Sequence, residues 1–247
     1  MNYYFLVLLM SMVSLFCTPL QAQSTEELIQ AHIRAVGGEE KWDQIKSMQV
    51  SETMVMDGTT FKITRRIIRN KALRKDIRIE DRAGIGNDKV YYIIVNENEG
   101  WKYLPDNPNF SVLTLIPEEI TSYREELDPD DPFIHYREKN REIQLLNIET
   151  VGSNEYYKFL IRYPSGRQYF CFVNTQTQMI DRMVLTGADY EEDRLFGEYT
   201  RLPEGVMIPK RIETPLTVIQ VGTVKINPDL KMDIFQPGDT NKLYYKH

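Results

Sequence analysis

The chain has 247 residues, of which 42% are hydrophobic, and no linker rich in Pro, Gly or Ser divides it. This length can bury one sizeable core, so we expect a single domain. The net charge of −6 and the pI of about 5.3 argue against nucleic-acid binding, which requires a basic surface, and no nucleic-acid partner is expected. Aromatic residues make up 11% of the chain, including 15 Tyr, which favours strands over a helical bundle.

The amino-terminal segment, MNYYFLVLLMSMVSLFCTPLQAQS, holds no charged side chain through Ser24. Its apolar run over residues 3–17 is too short to predict a membrane span, and Ala22 offers a small residue for cleavage. We interpret residues 1–22 as a secretory signal peptide and residues 23–247 as the single domain of a periplasmic or secreted protein. The alternative is an uncleaved anchor, because no Lys or Arg strengthens the start of the segment.

Neither lipidation nor an internal disulfide is expected at the two cysteines. Bulky Phe16 stands where a lipidation motif needs a small residue, so lipidation at Cys17 is not expected. Cleavage of the signal peptide would leave Cys171 without a partner for an internal disulfide. Cys171 lies in the apolar run QYFCFV, which indicates a buried thiol.

Two helical segments are predicted. The first, STEELIQAHIRAVGGEEKW, has a capping residue at Ser24 or Thr25, acidic residues in its first turn and a Gly-Gly end. Its apolar stripe consists of Leu28, Ile29, Ile33 and Val36. The second, LIPEEITSYREELDPDDPFIHY, begins at Pro117 and ends at DPDDP, which we interpret as a solvated helix end. It forms a short helical insert between two β halves.

From Met48 onward the hydrophobic period changes from helical to two, apart from that insert. Asp57-Gly58 is the strongest hairpin signal, and turn residues recur between the later runs. The spacing predicts roughly eleven strands, and their short connections require antiparallel pairing. The fold class is therefore mainly β, with an antiparallel sheet.

The two-residue period assigns side chains to faces. The residues expected to point inward are Met54, Met56, Phe61, Ile63, Ile77, Ile79, Tyr92 and Ile94. The residues expected to point outward are Arg74, Asp76, Arg78 and Glu80. Arg65 shares a face with Phe61, Ile63 and Ile67, although it is charged. The run KVYYIIVNENEGWKYL is apolar on both faces, which raises the question of what covers its second face.

No pattern of catalytic or metal-binding residues is present. His32 has no second ligand at helical spacing, His135 has no visible partner, and DPDD lacks the spaced oxygens of a calcium loop. The sequence contains neither G-x-S-x-G nor a phosphate-binding loop. We expect no enzyme activity, no metal and no cofactor.

The order of helix, Gly-Gly, β half, helical insert and longer β half resembles the LolA and LolB superfamily of periplasmic lipoprotein carriers. The stretches that carry the resemblance are AHIRAVGGEEKWDQIKSMQVSETMVMDG, NENEGWKYLPDN, FVNTQTQMIDRMVL, GVMIPKRIET and VKINPDLKMDIFQP. They cover most of the chain after residue 22.

The resemblance implies a strongly curved antiparallel sheet, an unclosed β-barrel, whose concave face is plugged by the amino-terminal helix and the insert. Family members hold acyl chains in the cavity between them and use an inward arginine to latch the helical lid; Arg65 is the candidate here. The expected cavity lining is Met54, Met56, Phe61, Ile63, Arg65, Ile77, Ile79, Tyr92, Ile94 and Trp101. Methionines such as Met48 and Met183 suit an adaptable cavity but equally suit a filled core.

The implied function is binding of lipid or lipoprotein acyl chains for transport or sorting to the outer membrane. An envelope membrane protein would serve as donor or acceptor. The alternative is an envelope sensor or protein-interaction module on the same fold, and a hydrolase ranks last because no nucleophile–base set is visible.

Overall fold

The computed structural model describes residues 24–80, 89–104, 112–186 and 192–237. The predicted signal peptide and cleavage site lie outside these residues and stay predictions. The described helices are α1 (Thr25–Ala35), α2 (Glu39–Asp43) and α3 (Pro117–Arg124), with 3-10 turns at Glu125–Leu127 and Met232–Phe235. Within these ranges no helix has the length and apolar character to cross a membrane.

Strands dominate the described residues. They are β1 (Ser47–Met56), β2 (Thr59–Ile68), β3 (Ala72–Glu80), β4 (Lys89–Asn96), β5 (Gly100–Tyr103), β6 (Val112–Thr114), β7 (Glu142–Val151), β8 (Asn154–Arg162), β9 (Gln168–Asn174), β10 (Ile180–Thr186), β11 (Glu192–Gly197), β12 (Thr200–Arg201), β13 (Met207–Ile208), β14 (Arg211–Glu213) and β15 (Val218–Ile226). The predicted number of strands was too low because the shortest of them are too brief to show an alternating pattern.

Thirteen of the described strands form one antiparallel sheet in the order β6-β5-β4-β3-β2-β1-β15-β14-β11-β10-β9-β8-β7. The carboxy-terminal β15 joins the two halves by pairing with β1, Met48 opposite Ile226. The sheet does not close, since β6 and β7 lie at opposite ends of the order. This confirms the predicted mainly β fold with an unclosed antiparallel sheet.

Helix α1 packs on one face of the sheet, which we call the inner face. Ser24 and Glu27 form a reciprocal capping box at its start, and Ile29 and Ile33 are buried in the main core. The chain turns at Gly37, whose φ of 121° and close approach to the carbonyl of Gly205 leave no room for a Cβ. Trp42 of α2 is buried in the same core and donates from Nε1 to the Val36 carbonyl at 3.2 Å.

The insert covers the inner face of the first half. Leu127 packs with Ile67 and Leu73, and Ile120 packs with Val95. The strand register places Ile67, Leu73 and Val95 side by side on that face. The predicted cover of one sheet face by the amino-terminal helix and the insert is therefore confirmed.

The opposite, outer face of β3–β5 is covered by the carboxy-terminal segment. Phe235 is fully buried there against Tyr92 and Ile94, and Ile234 packs beside them. This segment covers the second apolar face of β4, which the sequence left unexplained. Arg74 lies on the outer face as predicted, but it is buried there, and it donates from Nη1 to the Ile234 carbonyl at 2.8 Å.

Candidate functional site

A cavity of about 320 Å³ lies between the inner face, α2 and the insert. This volume is at the lower end of the roughly 300–1,000 Å³ found for small-molecule sites. The wall formed by the sheet is apolar and comes from both β halves. Its strand residues include Met48, Val50, Ile67, Met183, Phe196, Ile212, Val221 and Val224. The opposite wall is charged, because the insert contributes carboxylates.

Arg65 is the one cation among the described residues that line the cavity. Its guanidinium donates two hydrogen bonds to Glu52 on the neighbouring strand, from Nη2 to Oε1 at 2.5 Å and from Nε to Oε2 at 3.2 Å. The Arg65 side chain is 27% exposed and that of Glu52 only 8%. Burial opposes the charge, but the carboxylates of Glu52 and Glu126 outweigh it and raise the pKa of Arg65.

The DPDDP stretch is a hub of buried ion pairs, so its interpretation as a solvated helix end was wrong. The Asp130 side chain is fully buried and accepts from Arg69 Nη1 at 2.5 Å and Lys139 Nζ at 2.6 Å. Asp128 pairs with Lys139 and Arg141, each at 2.8 Å. Since Arg69 follows β2, this hub fixes the insert to the sheet.

His32 joins α1 to this hub. Its ring is 1% exposed, with Nε2 2.9 Å from Asp131 Oδ1 and Nδ1 2.7 Å from the carbonyl of Gln178. The carbonyl and an ionised Asp131 both accept hydrogen bonds, so an imidazole protonated on both ring nitrogens satisfies both contacts. Burial alone would lower the pKa of His32, but Asp131 and the Gln178 carbonyl raise it above its usual value.

The predicted lining residues fall into three groups. Arg65 lines the cavity. Six residues share the inner face with Arg65 but lie further along β1–β3, outside the cavity lining. They are Met54, Met56, Phe61, Ile63, Ile77 and Ile79. Tyr92, Ile94 and Trp101 lie on the outer face, since Tyr92 pairs with Asp76 and Ile94 with Arg74 and Trp101.

Placing Tyr92 and Ile94 on the inward face was therefore wrong. The sequence shows β4 as apolar on both sides, and the period alone does not say which side is which. In the structure it is Tyr91 that pairs with Ile77 and Leu73 that pairs with Val95. The ligand-binding role of the remaining candidates stays a prediction.

Sequence reasoning missed most of the true lining. Met48 and Val50 belong to the alternating pattern that also contains Met54, so this signal was available. Glu52 interrupts that pattern with a charge, as Arg65 does on β2, and the two interruptions pair. The lining from the second half depends on β15 closing against β1, a long-range pairing that no local pattern reveals.

Two further reactive side chains, Cys171 and Tyr199, are enclosed. Cys171 is buried as predicted, and burial raises the pKa of its thiol well above the usual value. Tyr199, which lines the cavity, donates from its hydroxyl to the Ile180 carbonyl at 2.7 Å, and burial raises its pKa. In the described ranges no cluster of His, Cys, Asp and Glu is arranged to hold a metal ion.

No family model matches the sequence, and no curated protein matches it. Solved structures match with sequence identities of 10–15%. A LolA superfamily protein from Nitrosomonas europaea is 14% identical with a TM-score of 0.54, over 84% of this chain and 97% of that one. A lipoprotein-sorting domain of the outer membrane from Vibrio parahaemolyticus is 10% identical with a TM-score of 0.55, over 85% and 94%.

The chain has a LolA-like fold. A DUF1329 family protein from Desulfovibrio piger agrees, at 15% identity and a TM-score of 0.55 over 87% of this chain and 98% of that one. At such identities the likeness concerns the fold. In this fold the sheet, α2 and the insert enclose the cavity between the inner face and the charged hub.

Proposed function

We propose that this LolA-like protein binds lipid or lipoprotein acyl chains in its cavity, as a periplasmic or secreted carrier without catalytic activity. It would deliver them toward the outer membrane, with an envelope membrane protein as donor or acceptor. The observation that carries the proposal is the cavity itself, which has an apolar sheet wall and lies under a separate helical insert.

Transfer energetics support a carrier. Burial of an acyl chain gains about 0.8 kcal/mol per CH₂, in a protein cavity and in a membrane alike. Exchange between the two is then nearly neutral, so pickup and release both remain accessible. Met48, Met183 and Met207 line the cavity, and their flexible side chains suit chains of different shape.

Arg65 is suited to a role in closing the insert over the cavity. It stands on the sheet wall, while Glu126 of the insert lines the same cavity and contributes to the raised pKa of Arg65. Lys75, one strand further, pairs directly with Glu126 at 2.6 Å. These contacts link the sheet to the insert at the cavity.

A pair of tryptophan variants tests the proposal. Met183 on β10 lines the cavity, whereas exposed Leu195 pairs with the neighbouring Arg182 and faces the other way. Met183→Trp should abolish binding of a fluorescent acyl probe that the parent protein binds, while Leu195→Trp should bind it normally. Absence of probe binding by the parent protein would overturn the proposal.

A protein-interaction module remains the second candidate, and β7 is the feature that favours it. This ten-residue strand is an unpaired edge of the described sheet. It exposes Leu146, Ile148 and Val151, with Ile148 58% exposed. Such an edge can accept an extended peptide as an added strand. Ile148→Lys should weaken capture of a protein partner but leave acyl-probe binding unchanged, and the reverse pattern would remove this candidate.

A further inference from the structure

The charges around the cavity are unevenly distributed. Among the described lining residues the insert supplies carboxylates and the sheet supplies a single cation, Arg65. The insert carboxylates of the lining are Glu125, Glu126, Asp128, Asp130 and Asp131. An anionic ligand would therefore depend on Arg65 for its counter-charge.

Glu52 already neutralises that cation. Its carboxylate binds Arg65 through both oxygens and is itself almost fully buried, so the pair carries no net charge toward the cavity. Within the described part of the chain, the hydrogen bonds of the guanidinium go to Glu52. A guanidinium has more N–H groups than this contact uses, and the others can donate to a neutral acceptor.

Glu52 occupies a position where packing alone would favour an apolar residue. It stands on the inner face of β1 between Val50 and Met54, opposite Ile63 of β2. A buried carboxylate at such a position is costly unless it is paired. Its pairing with Arg65 gives the position a role that an apolar side chain could not fill.

We propose that Glu52 makes the cavity selective for acyl groups in ester or amide linkage over free fatty acids. The inference rests on the proposed acyl-binding function and names its ligand class. The neutral carbonyl of an ester or amide accepts a hydrogen bond from Arg65 without needing a counter-charge. A free carboxylate would lose its water and meet Glu52 and Glu126 beside the same guanidinium.

The first measurement uses the protein unchanged. Monolauroylglycerol and laurate have the same chain, and at about pH 8 only laurate is charged. Displacement of a fluorescent acyl probe should give a dissociation constant for monolauroylglycerol that is lower by about tenfold or more. Equal or tighter binding of laurate would overturn the inference and leave the proposed function standing. Binding of neither compound, nor of the probe, would overturn both.

The second measurement replaces Glu52, the residue proposed to set the ligand selectivity. Glu52→Gln keeps the shape of the side chain and removes the carboxylate charge that is hydrogen-bonded to Arg65. Laurate should then gain about tenfold or more in affinity, while monolauroylglycerol changes by less than about threefold. Asp193→Asn is the matched control, because it removes the carboxylate charge from a similar two-point contact with Arg182, at 2.9 and 2.7 Å, away from the cavity.

The control should leave the selectivity of the parent protein unchanged. An equal gain in laurate affinity in both variants, or no gain in Glu52→Gln with an unchanged melting temperature, would show that Glu52 does not set the selectivity. Should Glu52→Gln fail to fold, the comparison of the two ligands on the parent protein still tests the selectivity itself, and equal or tighter binding of laurate would overturn the inference.

Discussion

The pair of Arg65 and Glu52 is a buried contact whose two members are unequally exposed. Glu52 is 8% exposed and depends on Arg65, while Arg65 is 27% exposed and retains access to water. Removal of Arg65 should therefore destabilise the protein mainly because it leaves the buried Glu52 carboxylate without a partner.

Arg65→Leu should lower the free energy of unfolding by about 2–3 kcal/mol, less than for a fully buried pair because Arg65 is partly exposed. The double variant Arg65→Leu with Glu52→Leu should recover most of that loss, since no unpaired charge is left. Urea denaturation of the two single variants and the double variant measures the coupling. If the stability losses of the two single variants simply add in the double variant, Arg65 and Glu52 do not stabilise each other.

The buried His32 cation gives the protein a pH-dependent stability. Its pKa is raised in the folded protein, so between the unfolded value of roughly 6.5 and the folded value the native state binds more protons. The stabilisation is complete below about pH 6.5 and is lost as the pH rises through the folded pKa.

His32→Gln should remove most of this slope, and Asp131→Asn should do the same from the other side of the contact. The measurement is the free energy of unfolding from about pH 6 to pH 9, compared with the parent protein. A slope that survives in both variants would show that His32 is not the group responsible.

Among the elements, the carboxy-terminal 3-10 turn has the clearest packing role. Phe235 is fully buried in the outer-face cluster with Tyr92 and Ile94, while Met232 in the same turn is 48% exposed. The turn thus closes a second core on the side of the sheet away from the cavity.

Phe235→Ala should cost about 3–5 kcal/mol of stability, because it opens a cavity in that cluster. Met232→Ala in the same turn should change stability by less than about 0.5 kcal/mol. Urea denaturation followed by circular dichroism checks both. Similar, small effects of the two variants would mean that the segment does not hold the outer face.

For the molecule as a whole, local sequence patterns predict the helices and strands, whereas the long-range pairing of strands determines the cavity. The capping residues, the Gly-Gly end and the alternation of β1–β3 are local, and each was readable. Tyr92 was assigned to the wrong face because β4 is apolar on both sides and the covering Phe235 lies far along the chain. The cavity wall from Met183 and Val224 depends on β15 pairing with β1.

The methionines provide a direct probe of the cavity. Met48, Met183 and Met207 line it, whereas Met54 and Met56 lie further along β1 and Met232 is exposed on the turn at the carboxy-terminal end. Their terminal methyl groups report on nearby ligands individually.

The measurement that tests acyl binding most directly is a methyl NMR titration of the methionine-labelled protein with monolauroylglycerol. We predict saturable shifts at Met48, Met183 and Met207, with the exposed Met232 unchanged. Shifts confined to Met232, or no shift at any methyl group, would contradict the claim that this cavity holds an acyl chain.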